Sequence, residues 1–159
     1  MEIEENIGIL LKKKNFTIAA AESCTGGLIS SRITNIGGAS EYFVAGLVTY
    51  SNKSKTSFLS VPEEVIGQHG AVSRETAQLM AEGVRNKTGA DIGIAVTGIA
   101  GPLGGTPEKP VGTVFIGIAA KEISKVRNFL FAGNRLEIKQ KTSDAALEFL
   151  KDYLEGKQL

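Results

Sequence analysis

Phe16-Thr17-Ile18-Ala19-Ala20-Ala21-Glu22-Ser23-Cys24-Thr25-Gly26-Gly27-Leu28-Ile29 is the stretch that decides the architecture. Its apolar run, Phe16 to Ala21, is broken by Thr25-Gly26-Gly27, after which Leu28, Ile29 and Ile33 recover helical spacing. This predicts a strand, a tight turn and a helix, with a hydroxyl at the turn. A second apolar stretch, Tyr42 to Tyr50, ends in Ser51-Asn52-Lys53-Ser54-Lys55, where Ser or Asn can cap a short helix. A third, Asp91 to Thr97, runs into Gly98, Gly101, Pro102, Gly104, Gly105, Pro107 and Pro110, which forbid regular structure until Val111. A Gly/Pro loop of that length is usually functional or disordered.

Outward from these junctions, Ile3, Ile7, Leu10 and Leu11 share one helical face, and Lys12 to Lys14 suit a helix C-terminus. Pro62, Gly70 and Ser73 ahead of Glu75 mark two more helices, the second reaching about Lys87 with Ala77, Met80, Ala81 and Val84 inward. Val111 to Ala120 and Lys125 to Phe131 are strands joined too closely for a crossover helix, so they pair as an antiparallel hairpin. A last helix places Ile138, Thr142, Ala145, Phe149 and Tyr153 on one side. The alternation predicts an α/β fold: a three-layer α/β/α sandwich with a mixed, mainly parallel five-stranded sheet, in one domain spanning residues 1–159. Ligands of such sheets sit beyond the C-terminal strand ends, where the three junctions would converge.

Composition narrows the function. The 159 residues carry 18 basic and 17 acidic side chains, and no Lys/Arg cluster with interleaved aromatics occurs, which argues against a nucleic-acid partner. The single cysteine, Cys24, cannot form an internal disulfide, and no paired Cys/His spacing of a zinc site is present. Both point to a reducing compartment. Met1-Glu2-Ile3-Glu4-Glu5 is acidic where a signal peptide is basic, and no apolar run approaches the ~20 residues that span a bilayer. The expectation is a cytoplasmic protein with a small-molecule partner, no membrane association and no metal or cofactor. A homodimer is compatible with so small a domain.

Each junction offers chemistry beside a plainer alternative. At the first, Ser23 stands at a strand end just before a helix, where it suits a nucleophile, and the backbone N–H groups of Thr25, Gly26 or Gly27 could hold an oxyanion. Ser23 or Thr25 would equally serve as a helix cap. Cys24 is a rival nucleophile or a core filler. The second junction supplies Tyr50, Asn52, Lys53 and Lys55, and a lysine of depressed pKa can activate a serine without histidine, whereas an exposed lysine stays charged. The third, Thr97-Gly98-Ile99-Ala100-Gly101-Pro102, matches neither a dinucleotide fingerprint nor a P-loop, yet can form a backbone nest for one phosphate or carboxylate. Arg135, after Ala132-Gly133-Asn134, is placed to clamp a phosphate or simply to face solvent. His69, ahead of Gly70, reads as a helix C-terminal residue.

Ala21-Glu22-Ser23-Cys24-Thr25-Gly26-Gly27, Val48-Thr49-Tyr50-Ser51-Asn52 with Lys55, His69-Gly70-Ala71-Val72-Ser73, Thr97-Gly98-Ile99-Ala100-Gly101-Pro102 and Lys109-Pro110-Val111-Gly112-Thr113-Val114 together resemble the CinA C-terminal-domain family, whose characterised members are nicotinamide mononucleotide deamidases. The blocks occur in the family's order over roughly residues 16 to 135. The resemblance implies a stand-alone form of the deamidase domain, an α/β/α fold and a Ser-Lys mechanism with Ser23 as nucleophile and Lys55 as base. It also implies site roles for Tyr50, Thr97 and Arg135. From the junctions themselves, Tyr50 is expected to orient or polarise the Ser23–Lys55 pair, and Thr25, Gly26, Gly27, Gly98 and Gly101 to contact the substrate. A relative that keeps the pocket and has lost the reaction, or an amidohydrolase of another small carboxamide, would share these motifs.

Overall fold

Period-two alternation along the first strand sorts the molecule into two cores. In β1 (Ile18–Glu22), Ile18 and Ala20 join one apolar cluster while Ala19 and Ala21 join another on the opposite face. The first cluster is completed by α1 (Ile3–Lys14), α2 (Leu28–Thr34) and α6 (Arg135–Leu154). The second is completed by α3 (Asn52–Leu59), α4 (Glu63–His69) and α5 (Arg74–Thr88). The result is the three-layer sandwich, seen here in a computed structural model that describes all residues, Met1–Leu159.

With β2 (Phe43–Val48), β3 (Ile92–Gly98), β4 (Thr113–Ala119) and β5 (Ser124–Leu130), the sheet has the order β2-β1-β3-β4-β5. β1 is parallel to β2 and β3, and β4 is antiparallel to β3 and β5. Four strands therefore run one way and β4 alone runs against them, as the close spacing of the last two strands predicts. Ala77, Met80, Ala81 and Val84 of α5 are fully buried on the sheet, the inward set expected from their spacing. That close approach needs glycine beneath the helix, since a Cβ on Gly93 or Gly117 would stand 2.2 Å from the Ala81 carbonyl oxygen or 2.6 Å from that of Ala77.

The last helix differs from its sequence reading. Ile138, Thr142 and Phe149 are buried, but Ala145 and Tyr153 lie at the margin while Ser143, Leu147, Leu150 and Leu154 are buried instead. The buried arc is wide because α6 packs against α1 and α2 as well as against the sheet. A single stripe describes a helix with one neighbouring surface.

Strand register brings the junctions together. Glu22, Val48 and Val96 occupy one rung, and the ladder continues one step further through Ser23 N–H to the Val96 carbonyl (3.1 Å) and Thr49 N–H to the Glu22 carbonyl (2.9 Å). Ser23, Thr49-Tyr50 and Thr97 therefore emerge side by side, with β1 between its two parallel neighbours at the point where the strand order reverses. The Gly/Pro segment between Gly98 and Thr113 has no regular structure but is pinned, with Ile99 N–H on the Thr113 carbonyl (2.9 Å) and Gly112 N–H on that of Ile99 (2.7 Å). No helix is long and apolar enough to cross a membrane.

Candidate active site

Beyond these strand ends lies a cleft of about 250 Å³, whose wall includes Ser23, Cys24, Tyr50, Asn52, Lys55 and Arg135, closed by Ala71-Val72 and by Thr97 to Gly101. A cleft of about 300 Å³ beside Leu59, Leu79 and Gly83 is comparable in size, but no nucleophile lines it with a base in reach. Chemistry, not volume, separates the two.

Ser51 caps α3 by accepting the Ser54 N–H at 3.1 Å, which starts the helix one turn before Lys55. Helical side chains lean toward the N-terminus, so Lys55 reaches back under the β2 end rather than outward. Its side chain is fully buried. Nζ lies 3.0 Å from Ser23 Oγ, 2.7 Å from the Thr49 carbonyl oxygen and 3.2 Å from that of Tyr50. A neutral amine has two N–H donors and one lone pair. In that form the two carbonyls take the donors and the lone pair is left for the Ser23 hydroxyl, whereas the ammonium, the major form below about 8, donates to all three oxygens. Burial lowers the Lys55 pKa from its ordinary value to about 8, against a smaller upward pull from Cys24. Lys53, the other lysine of this junction, is exposed and lines a different cleft.

Cys24 is buried in the α1/α2/α6 core, and that burial pushes its thiol up to about 12. A thiol so protonated at neutral pH is a filler rather than a nucleophile. Cys24→Ala is accordingly expected to keep kcat within about threefold of wild type, with a stability loss of roughly 1–2 kcal/mol for the buried sulfur; initial rates and thermal melts check both.

Several side chains sit differently from their sequence reading. The Tyr50 phenol, 59 % exposed, accepts a hydrogen bond from Arg135 Nη2 at 2.8 Å, so Tyr50 meets Lys55 through its carbonyl and not through its ring. Arg135 Nη1 donates to the Gly101 carbonyl at 2.6 Å. Arg135 thus bridges two walls of the cleft from the start of α6, where Asn134 caps the helix. Thr97 lines the cleft, but its hydroxyl donates to the Ala71 carbonyl at 2.8 Å and fixes that wall. Gly98 and Gly101 also line it; Gly101 has φ +76 and a Cβ there would collide with Val111 at 2.4 Å.

Thr25, Gly26 and Gly27 do not line the cleft. The Thr25 hydroxyl donates to Glu22 Oε1 at 2.7 Å, and Gly26 N–H donates to the Ser23 carbonyl at 3.1 Å, so these two groups are engaged within the turn. Asn52, offered by the sequence as a possible helix cap, leaves that place to Ser51 and lines the cleft one helical turn before Lys55. Lys109 ties the long loop to the opposite wall by donating to the His69 carbonyl (2.8 Å) and the Val72 carbonyl (2.6 Å). Only its place in the Lys109-Pro110-Val111 block marks it in the sequence. His69 itself lies outside the cleft, 3.7 Å from Glu75. No group of three or more His, Cys, Asp or Glu side chains is arranged to hold a metal ion.

Comparison with known proteins places the chain in a family. The family described as CinA C-terminal domain matches residues 1–154. A CinA-like protein of Syntrophus aciditrophicus is 52% identical over 153 residues, covering 96% of this chain, and one of Citrifermentans bemidjiense is 48% identical over the same length. The chain spans 36% and 37% of those relatives' lengths. Among solved structures, the competence damage-inducible protein A of Klebsiella pneumoniae superposes with a TM-score of 0.94 at 31% identity, covering 98% of this chain and 97% of that one. The competence/damage inducible protein CihA of Agrobacterium tumefaciens gives 0.90 at 39% identity, covering 96% and 95%. By sequence match over nearly its whole length and by superposition, the chain belongs to the CinA C-terminal domain family.

Proposed function

We propose that this protein is an amidohydrolase that converts nicotinamide mononucleotide and water to nicotinic acid mononucleotide and ammonia by a Ser-Lys mechanism. The observation that carries the reading is the buried Lys55 amine 3.0 Å from Ser23 Oγ, with its two N–H directions occupied by carbonyls. Simple ligand binding does not require a buried lysine without a carboxylate partner, whose desolvation is costly. Ser23 Oγ attacks the carboxamide carbon while Lys55 Nζ takes the hydroxyl proton. Lys55 returns that proton to the departing nitrogen, and ammonia leaves an acyl ester on Ser23. Water then attacks the ester carbonyl, giving a proton to Lys55, which passes it back to Ser23 Oγ as the carboxylic acid departs and loses its remaining proton to solvent. Cys24 and Ala100 belong to the cleft wall and their main-chain N–H groups donate to no main-chain carbonyl, so these amides are the proposed oxyanion donors. We place the reaction in the cytoplasm, with residues 1–159 acting as one domain on a small-molecule pyridine mononucleotide.

The direct test is ammonia release from nicotinamide mononucleotide, with nicotinamide and nicotinamide riboside as controls. Release from none of the three by folded protein would overturn the assignment. Arg135 supplies the expected discrimination, since two of its N–H groups bind Gly101 and Tyr50 while the others remain for an anion at the cleft mouth. A charge-assisted hydrogen bond is worth ~1.5–3 kcal/mol, so Arg135→Ala is expected to lower kcat/KM for the mononucleotide by roughly tenfold to a hundredfold. Riboside turnover should barely change. Equal losses on both substrates would assign Arg135 to holding the cleft walls together rather than to the phosphate.

A further inference from the structure

Glu22 is a fully buried carboxylate that the mechanism above does not use. As the last residue of β1 its side chain points to the α2 layer, while the next residue, Ser23, meets α3 through Lys55 on the other side. Its two oxygens accept four hydrogen bonds: Thr25 Oγ1 (2.7 Å) and Ile29 N–H (2.9 Å) on Oε1, and Ser30 N–H (2.9 Å) and Ser30 Oγ (2.7 Å) on Oε2. No lysine or arginine pairs with it among the ion pairs of the chain. A buried carboxylate held only by neutral donors is a costly way to start a helix. A serine or aspartate at the N-cap would do so locally, yet that position is Gly27 with φ +106 and no capping side chain.

What the expensive arrangement adds is rigidity at the nucleophile. Ser23 is held on one side by its N–H on Val96 and on the other by Gly26 N–H on its carbonyl. Glu22 locks the turn between those two anchors to the first turn of α2 through Thr25, Ile29 and Ser30. We propose that Glu22 is a positioning residue for Ser23, fixing the serine corner so that Oγ stays within reach of the Lys55 amine. The proposal rests on the Ser23–Lys55 reading but not on the identity of the substrate.

The test uses an alkyl fluorophosphonate on the intact protein. Ser23 Oγ bonds to phosphorus, fluoride leaves with the bonding pair, and Lys55 takes the hydroxyl proton, so the labelling rate reports nucleophile and base without any amide substrate. Glu22→Gln keeps the shape but turns an amide nitrogen toward hydrogen-bond donors. Displacements of about 1 Å at a reacting group cost on the order of 100-fold, so labelling is expected to slow by about 10- to 100-fold. The kcat for deamidation should fall by the same factor, with KM and the midpoint of the pH profile unchanged. Ser30→Ala removes one of the four donors and should show a smaller loss of the same sign. Labelling of Glu22→Gln at the wild-type rate per folded molecule would overturn the proposal; should that variant be unfolded, an unchanged rate in Ser30→Ala overturns it. Wild-type protein that labels at Ser23 yet releases no ammonia from nicotinamide mononucleotide would remove the substrate assignment and leave the Glu22 role standing. Wild-type protein that does not label would remove both.

Discussion

Lys55→Arg is expected to lower kcat by about 100- to 10,000-fold, the range a positioned general base contributes. Arginine keeps the positive charge and a similar reach but does not lose its proton at working pH, so it separates a base from an electrostatic contact. Wild-type kcat/KM should climb tenfold per pH unit and level off above about 8, the value to which burial brings the Lys55 amine. The sign follows from the active form being neutral: its fraction grows as pH rises and saturates above the pKa. At pH 7 about one molecule in ten carries the neutral amine, against about three in ten thousand for an unperturbed lysine, so burial raises the competent fraction by roughly 300-fold. Initial rates from pH 6 to 10, with circular dichroism to confirm folding, check both statements. Substantial turnover by Lys55→Arg, or a profile flat across that range, would remove Lys55 as the base. Lys53→Arg is the control and should reproduce the wild-type profile, because that side chain is exposed and lies outside the cleft.

Ser23→Ala should reduce turnover by roughly 10,000-fold or more, as removal of a nucleophile does when no neighbour can replace it. The nearest alternative, the Cys24 thiol, is held protonated by burial. Mononucleotide affinity should change little, because the deleted oxygen contributes one hydrogen bond in a cleft whose remaining wall is intact. Isothermal titration with nicotinamide mononucleotide and a single-turnover assay on the same preparation read the two quantities. Full activity in Ser23→Ala would sink the covalent mechanism, and lost affinity together with lost turnover would show that the serine supports the cleft itself.

Much of the architecture was legible because it is written in short-range patterns. The apolar run Phe16 to Ala21, the Gly-Gly break and the helical spacing after it state strand, turn and helix without reference to the rest of the chain. The same holds for the Ser51 cap that starts α3 and for the short link that forces β4 and β5 into a hairpin. Where an element touches several neighbours at once, the pattern blurs, which is why the buried arc of α6 is wider than its apolar spacing indicates. Its face is chosen by what packs on it.

The candidate residues divide along the same line. Ser23, Lys55 and Thr97 are candidates by their motif blocks, and Arg135 by its place after Ala132-Gly133-Asn134. Which of their atoms meet could not be read there, because meetings across 32 residues, as between Ser23 and Lys55, or 85, as between Tyr50 and Arg135, are decided by strand register and helix placement. Tertiary structure brought Lys55 and not Lys53 to Ser23, turned the Tyr50 ring away from the lysine, and buried the Glu22 side chain against the first turn of α2. It also set the Lys55 pKa, since desolvation is a property of the surroundings a side chain is buried in and not of the residue type. Sequence determined by itself the elements and the inventory of reactive groups, because both depend on chemistry within a few residues. Which of those groups became a pair was left to packing, because only the folded chain brings distant residues to a common dielectric and a common distance.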